Sequence, residues 1–118
     1  MKVGIDIVEI ARFNRIKSKL NVLDTIYTKK ELKDLKSQDY DIKNLALYFS
    51  IKEAFVKALG TGFSKYVTPL DIEIDCQGTN IHLNLSKQVN KILDKNFKNI
   101  YITSTFLSDN VIVLCILN

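Results

Sequence analysis

Asp6, Glu53 and Lys57 are the residues of this chain whose types and placement can do chemistry together. Asp6 lies in "VGIDIVEI", residues 3–10, an apolar run of strand character. Side chains alternate along a strand, so Val3, Ile5 and Ile7 share one face while Gly4, Asp6 and Val8 share the other. A dehydrated, unpaired carboxylate there costs several kcal/mol. Asp6 therefore either sits in water at the rim of a sheet or faces a cation. Glu53 and Lys57 belong to "FSIKEAFVKALGTG", residues 49–62, where a separation of four puts them on one helix face. Taken alone, they are equally an ordinary surface ion pair worth some tenths of a kcal/mol. A carboxylate from a strand and another from a helix can, however, hold a hard divalent ion. Mg²⁺ takes one or two protein carboxylates and completes its shell with water and substrate phosphate. Lys57 would then be a second cation for phosphate oxygens. Gly60 and Gly62, with the Thr61 hydroxyl between them, would let backbone approach a phosphate closely. These parts suit phosphoryl-type transfer, in which catalysis is mostly positioning and charge neutralisation.

Periodicity supplies the elements that must bring these residues together. Ile10, Phe13, Ile16 and Leu20 recur at helical spacing after the first strand, with Arg12, Arg15, Lys17 and Lys19 on the other faces. That predicts an amphipathic helix with a basic side. "TKKELKDLK" opens with Thr28 and Glu31 in capping-box spacing, so a second, short helix begins there. "SQDYDIKN" reads as a loop, and a longer helix runs from about Leu45 to a stop at Gly60. "DIEID" and "NIHLNL" alternate as half-exposed strands, and "SKQVNKILDKNF", residues 86–97, reads as a helix capped by Ser86. "IYITSTF" and "VIVLCIL", joined by "LSDN", form a terminal antiparallel hairpin. The order is strand, three helices, two strands, helix, two strands. It predicts an α+β fold in one domain, residues 1–118, with a largely antiparallel sheet packed against helices.

The bulk properties are those of a soluble globule: 47% apolar and 25% charged residues over 118 positions. No apolar stretch is long enough to span a bilayer, which argues against a membrane protein. The first strand begins within two residues of Met1, leaving no room for a signal peptide, so the expected location is cytoplasmic. Cys76 and Cys115 then read as reduced, structural thiols. A net charge of +4 favours an acidic partner, but charge alone does not choose among nucleic acid, phosphates and an acidic protein. No RNP-type aromatic strand is present, which argues against an RNA-binding domain.

The blocks "VGIDIVEIARF" and "FSIKEAFVKALGTG" resemble the two signatures of the holo-[acyl-carrier-protein] synthase family, the short bacterial type of 4'-phosphopantetheinyl transferase. The similarity continues through "TKKEL" and "TPLDIEI" to the final hairpin. It implies an enzyme that moves the phosphopantetheine arm of coenzyme A onto a serine of apo-acyl carrier protein, releasing adenosine 3',5'-bisphosphate. By motif position, Asp6 and Glu53 would hold Mg²⁺ (or Mn²⁺, which suits the same oxygen ligands) against the pyrophosphate. Lys57 would neutralise charge on the phosphates or leaving group. Lys52, Gly60, Thr61 and Gly62 would lie near the nucleotide end of coenzyme A. The general base would be Glu53 or a metal-bound water. The resemblance also implies a homotrimer with sites between subunits, and docking of the acidic carrier protein on the basic first helix through Arg12 and Ile16.

The match fails at three points. Phe106 in "TSTF" stands where the family has a histidine, Tyr48 stands where an arginine is common, and "GTN" at 78–80 replaces a common Gly-x-Pro. A phenyl ring neither donates a hydrogen bond nor accepts a proton. The sole histidine, His82, lies in the alternating strand "NIHLNL" and reads as structural. Two readings follow: a working transferase that dispenses with the histidine, or a non-catalytic relative that binds coenzyme A or the carrier on the same fold. The retained Asp6, Glu53 and Lys57 favour the first.

Overall fold

A computed structural model describes residues 1–94 and 96–118. Strand β1 (Lys2–Glu9) leads into a 3-10 turn over Ile10–Asn14, then helices α1 (Leu20–Ile26), α2 (Lys29–Ser37) and α3 (Ile42–Leu59). A second 3-10 turn, Pro69–Asp71, precedes β2 (Ile72–Gln77) and β3 (Asn80–Leu85). Helix α4 (Lys87–Asp94) and the hairpin β4 (Ile100–Leu107) and β5 (Asn110–Leu117) complete the chain. The architecture is α+β, as expected. All strand pairings are antiparallel, but the strands divide into a three-stranded sheet, β1-β5-β4, and a separate β2-β3 ribbon.

The three-stranded sheet packs its inner face on α3. Val111, Val113, Cys115 and Leu117 alternate inward along β5, where they meet Ile51, Ala54, Phe55 and Ala58 of α3 in one buried cluster. Helix α3 has ten buried residues among its 18 and is the central element of the core. Asp41 caps its start by accepting the Lys43 N–H at 3.0 Å, which is why the helix begins three residues before the expected Leu45. Gly60 ends it in the left-handed conformation, φ 87°. The capping box at the start of α2 is present: the Thr28 hydroxyl accepts from the Glu31 amide, and Glu31 Oε1 accepts from the Thr28 amide at 2.8 Å.

The basic first helix is different from expectation. Ile10 and Phe13 are buried, but they lie in a 3-10 turn, and Leu20 is an exposed residue at the start of the separate helix α1. The steps from 10 to 13 and from 13 to 16 are both three residues, the period of a 3-10 helix as much as a turn of α-helix. The helix expected over 86–97 is shorter: Asn96 and Phe97 follow it outside any helix, and Lys95 lies outside the described residues. The Ser86 hydroxyl accepts the Val89 N–H at 3.3 Å, as the capping reading required. Among the described residues, no helix is long and apolar enough to cross a membrane.

Candidate active site

Asp6 lies on the inner face of β1 between Gly4 and Val8, with only 9% of its surface exposed. The apolar Val3, Ile5 and Ile7 point outward instead. The cause is the close approach of β1 to α3. A Cβ on Gly4 would lie 2.1 Å from the Ala54 carbonyl oxygen and 2.5 Å from the Ala58 amide nitrogen. Glycine on the strand, facing two alanines on the helix, lets the two backbones nearly touch, and Asp6 is thereby carried against the next turns of α3.

There it meets cationic and polar partners. Lys57 Nζ lies 2.9 Å from Asp6 Oδ1 and also donates to the Ile5 carbonyl at 3.1 Å. Ser50 Oγ donates to Asp6 Oδ2 at 2.7 Å. Asp6 is thus a largely buried acid facing a cation. Glu53, half-buried one turn before Lys57, shares this neighbourhood. Burial pushes its carboxyl above the ordinary glutamate range, and the Asp6 charge pushes it the same way, while Lys57 and Arg12 pull it down.

The raised Glu53 carboxyl has a consequence for stability. Between the ordinary glutamate range and its raised value, folded Glu53 keeps a proton that the unfolded chain has released. In chelator, stability from this group is fully present at low pH and is lost as pH rises through the folded value. Urea unfolding at a series of pH values is expected to show that decline, and Glu53→Gln is expected to flatten it. A decline of equal slope in Glu53→Gln would assign it to other groups.

Lys52 occupies a different place from the one the resemblance implied. Its side chain is wholly buried, and Nζ is held by Glu31 Oε1 at 2.6 Å, the Ile26 carbonyl at 2.8 Å and the Pro69 carbonyl at 3.0 Å. Glu31 Oε2 in turn accepts the Ile74 N–H at 2.7 Å. With no surface to offer a nucleotide, Lys52 is corrected from a cofactor contact to a core ion pair that ties α1, α2 and β2 to α3. Gly60, Thr61 and Gly62 lie just beyond the last turn of α3. The amides of both glycines donate to the Val56 carbonyl, at 3.0 and 3.2 Å, so they close the helix and do not cradle an anion. What the turn offers is room: a Cβ at either glycine would meet nothing within 4 Å. Thr61 is exposed beside it.

Arg12 is exposed and Ile16 half-buried, and with Glu9, Ala11, Arg15 and Lys19 they line one open groove. Of these residues, Arg12 lies near enough for its charge to act on Glu53. Phe106 is 46% exposed on the inner-face row with Val8 and Val111, and Lys43 Nζ lies 6.0 Å from its ring centre. Exposed His82 pairs with Asp75 across the β2-β3 ribbon. Sequence reasoning missed Ser50 and the buried role of Glu31. A hydroxyl among the bulky apolar residues of α3 was the one available signal for the first.

Comparison with known proteins identifies the family. Residues 2–112 match the family model of the 4'-phosphopantetheinyl transferase superfamily. A holo-[acyl-carrier-protein] synthase of Clostridium botulinum (strain Eklund 17B / Type B) is 34% identical over 98% of this chain and 94% of its own length. That of Wolbachia pipientis is 49% identical over 61% of this chain, and the match spans 62% of the relative's length. A second relative, from Caldicellulosiruptor saccharolyticus, is also matched over 62% of its length. The crystal structure of the Neisseria meningitidis synthase superposes with a TM-score of 0.87 at 25% identity, covering 99% of this chain and 97% of that one. The Helicobacter pylori synthase, solved in complex with coenzyme A, has a TM-score of 0.79 at 28% identity, covering 98% and 99%. On these grounds the chain belongs to the holo-[acyl-carrier-protein] synthase family of the 4'-phosphopantetheinyl transferase superfamily.

Proposed function

We propose that this chain, as one domain, transfers the 4'-phosphopantetheine arm of coenzyme A to a serine of apo-acyl carrier protein and releases adenosine 3',5'-bisphosphate. The observation that carries the reading is the Asp6–Lys57 contact where β1 presses on α3, with Glu53 near enough to feel both charges, in a chain of this family. Coenzyme A complexes of similar synthases support the choice of donor.

The donor set suits Mg²⁺. Two carboxylates close enough to feel each other's charge would supply two oxygen ligands, the number Mg²⁺ ordinarily takes from a protein, with water and phosphate oxygens completing the shell. Asp6 and Glu53 would hold the ion; bound there, it would neutralise and orient the pyrophosphate of coenzyme A. Lys57, its side chain 49% exposed, can turn from Asp6 to phosphate oxygens or to the departing nucleotide. The open turn at Gly60, Thr61 and Gly62 would lie beside the nucleotide end. In the transfer, the carrier serine oxygen bonds to the phosphorus bearing the pantetheine arm. The bond from that phosphorus to the bridging oxygen breaks, and adenosine 3',5'-bisphosphate departs with the electron pair. The serine proton passes to Glu53 or to water at the site.

The basic groove at Arg12 is the docking surface in this reading, because the carrier is acidic, Arg12, Arg15 and Lys19 line the groove, and Arg12 is near enough to act on Glu53. Arg12→Glu is expected to raise the Michaelis constant for the carrier about tenfold at low salt, with the difference shrinking as salt is added. An unchanged constant at low salt would remove the groove from carrier binding.

The outer face of the three-stranded sheet supports assembly as a homotrimer with sites between subunits. Val3, Ile5, Ile7, Tyr101 and Leu107 are 52%, 54%, 62%, 55% and 64% exposed, and register aligns the first four in rows with Ile112, Leu114 and Ile116. A contiguous apolar face of this kind marks association. Sedimentation equilibrium should return the mass of three chains; a one-chain mass would end the trimer reading.

The function itself is tested by incubating the protein with coenzyme A, apo-acyl carrier protein and Mg²⁺ and weighing the carrier. Gain of the phosphopantetheine arm is expected. Binding of carrier or coenzyme A with no gain would favour the non-catalytic alternative that Phe106 raises.

A further inference from the structure

Ser50 is wholly buried within α3. A serine inside a helix commonly turns its hydroxyl back to the carbonyl four residues earlier. Ser50 instead spends its proton on Asp6 Oδ2, 44 residues away in sequence, at 2.7 Å. The other oxygen of the same carboxylate, Oδ1, is taken by Lys57 at 2.9 Å.

These two donors differ in what they can do when a divalent cation arrives. The Lys57 ammonium is like-charged, half-exposed and on a flexible stem, so it can leave Oδ1 for water or phosphate. The Ser50 hydroxyl is neutral, short and fixed to the central helix of the core. Letting go of Oδ2 would strip this largely buried carboxylate oxygen of its hydrogen-bond donor. One oxygen of Asp6 is therefore exchangeable and the other is anchored.

We propose that Ser50 is a positioning residue for the metal pair: its hydroxyl locks the Asp6 carboxylate in one orientation, so that Oδ1 is free to pass from Lys57 to the ion without the side chain rotating. This rests on the reading of Asp6 and Glu53 as the metal ligands. It assigns Ser50 no contact with substrate, and it separates the two partners of Asp6 into a permanent one and a displaceable one.

The test is Mn²⁺ binding in the presence of coenzyme A, read by electron paramagnetic resonance and corrected for coenzyme A alone, on the parent, Ser50→Ala and Ser50→Thr. Alanine removes one oxygen and favours the helix. Loss of a partner that orients a metal ligand commonly weakens metal affinity 10–100-fold, and Ser50→Ala is expected to weaken it about tenfold. At saturating metal its kcat is expected to return to within about threefold of the parent, and the Michaelis constant for the carrier to stay unchanged. Ser50→Thr keeps the hydroxyl and is expected to bind metal within about threefold of the parent. Parent-like affinity in Ser50→Ala overturns the proposal. An equal loss in both variants also overturns it, because packing and not the hydroxyl would then be at fault. A parent that binds no ion beyond the coenzyme A blank overturns the metal reading itself, and is told apart from the other outcomes by the parent alone.

Discussion

Lys52→Ala is expected to lower the stability of this protein by about 3–5 kcal/mol, the usual result of removing one partner from a buried ion pair. Both side chains of the Lys52–Glu31 pair are 0% exposed, and the ammonium satisfies one carboxylate oxygen and two backbone carbonyls at once. Alanine would leave the Glu31 carboxylate in the core with only the Thr28 and Ile74 amides, and would take a donor from the Ile26 and Pro69 carbonyls, of which Pro69 keeps the Ile72 N–H. For a domain whose total stability is on the order of 5–15 kcal/mol, that loss is large. In thermal unfolding it corresponds to a drop of about 10–20 °C. Adding Glu31→Leu to Lys52→Met should recover only part of it, since Glu31 also accepts two backbone N–H groups that leucine cannot serve. Urea unfolding decides the matter. A loss below about 1 kcal/mol in Lys52→Ala would mean that water reaches the pair, and would reopen Lys52 as a surface group able to meet a nucleotide.

Asp6→Asn and Glu53→Gln should each lower transferase turnover by about 10²–10³-fold, the usual scale for deleting a group that organises charge in a transfer reaction. Both substitutions keep shape and remove charge. Asn at position 6 still offers an oxygen to Ser50, so thermal unfolding of Asp6→Asn is expected to change far less than that of Lys52→Ala. That contrast matters, because it separates a lost site from a lost fold. The readout is the initial rate of carrier modification at high Mg²⁺. Loss of less than about threefold in either variant would remove that carboxylate from the reaction.

These two effects also show which parts of the protein the chain announces locally. Helix α3 and the strands β2 to β5 follow from periodicity, because alternation along β5 and apolar crowding along α3 are properties of neighbouring residues. The capping box at Thr28 and Glu31 is of the same kind. What the box does not announce is that Glu31 has a second task, holding Lys52 from 21 residues away. A lysine set between Ile51 and the apolar Phe55 looks, from its neighbours, like a surface residue or a phosphate contact. Only the closure of β2 and the Pro69 turn over α3 seals it. The first helix failed for a different reason: a spacing of three serves a 3-10 turn equally well, and burial of Ile10 and Phe13 is satisfied by either. The acid pair is legible in residue types and in the two signature blocks. Its spatial basis, Gly4 laid against Ala54 and Ala58, is a contact between backbones that no periodicity encodes.

The central claim is that the acids at 6 and 53 grip a single divalent ion together with the pyrophosphate of coenzyme A. Counting bound Mn²⁺ by electron paramagnetic resonance, with coenzyme A present, tests it in the parent, Asp6→Asn and Glu53→Gln. The account predicts one ion per chain in the parent and a large loss of affinity in each variant. Full-strength binding in either variant would contradict it.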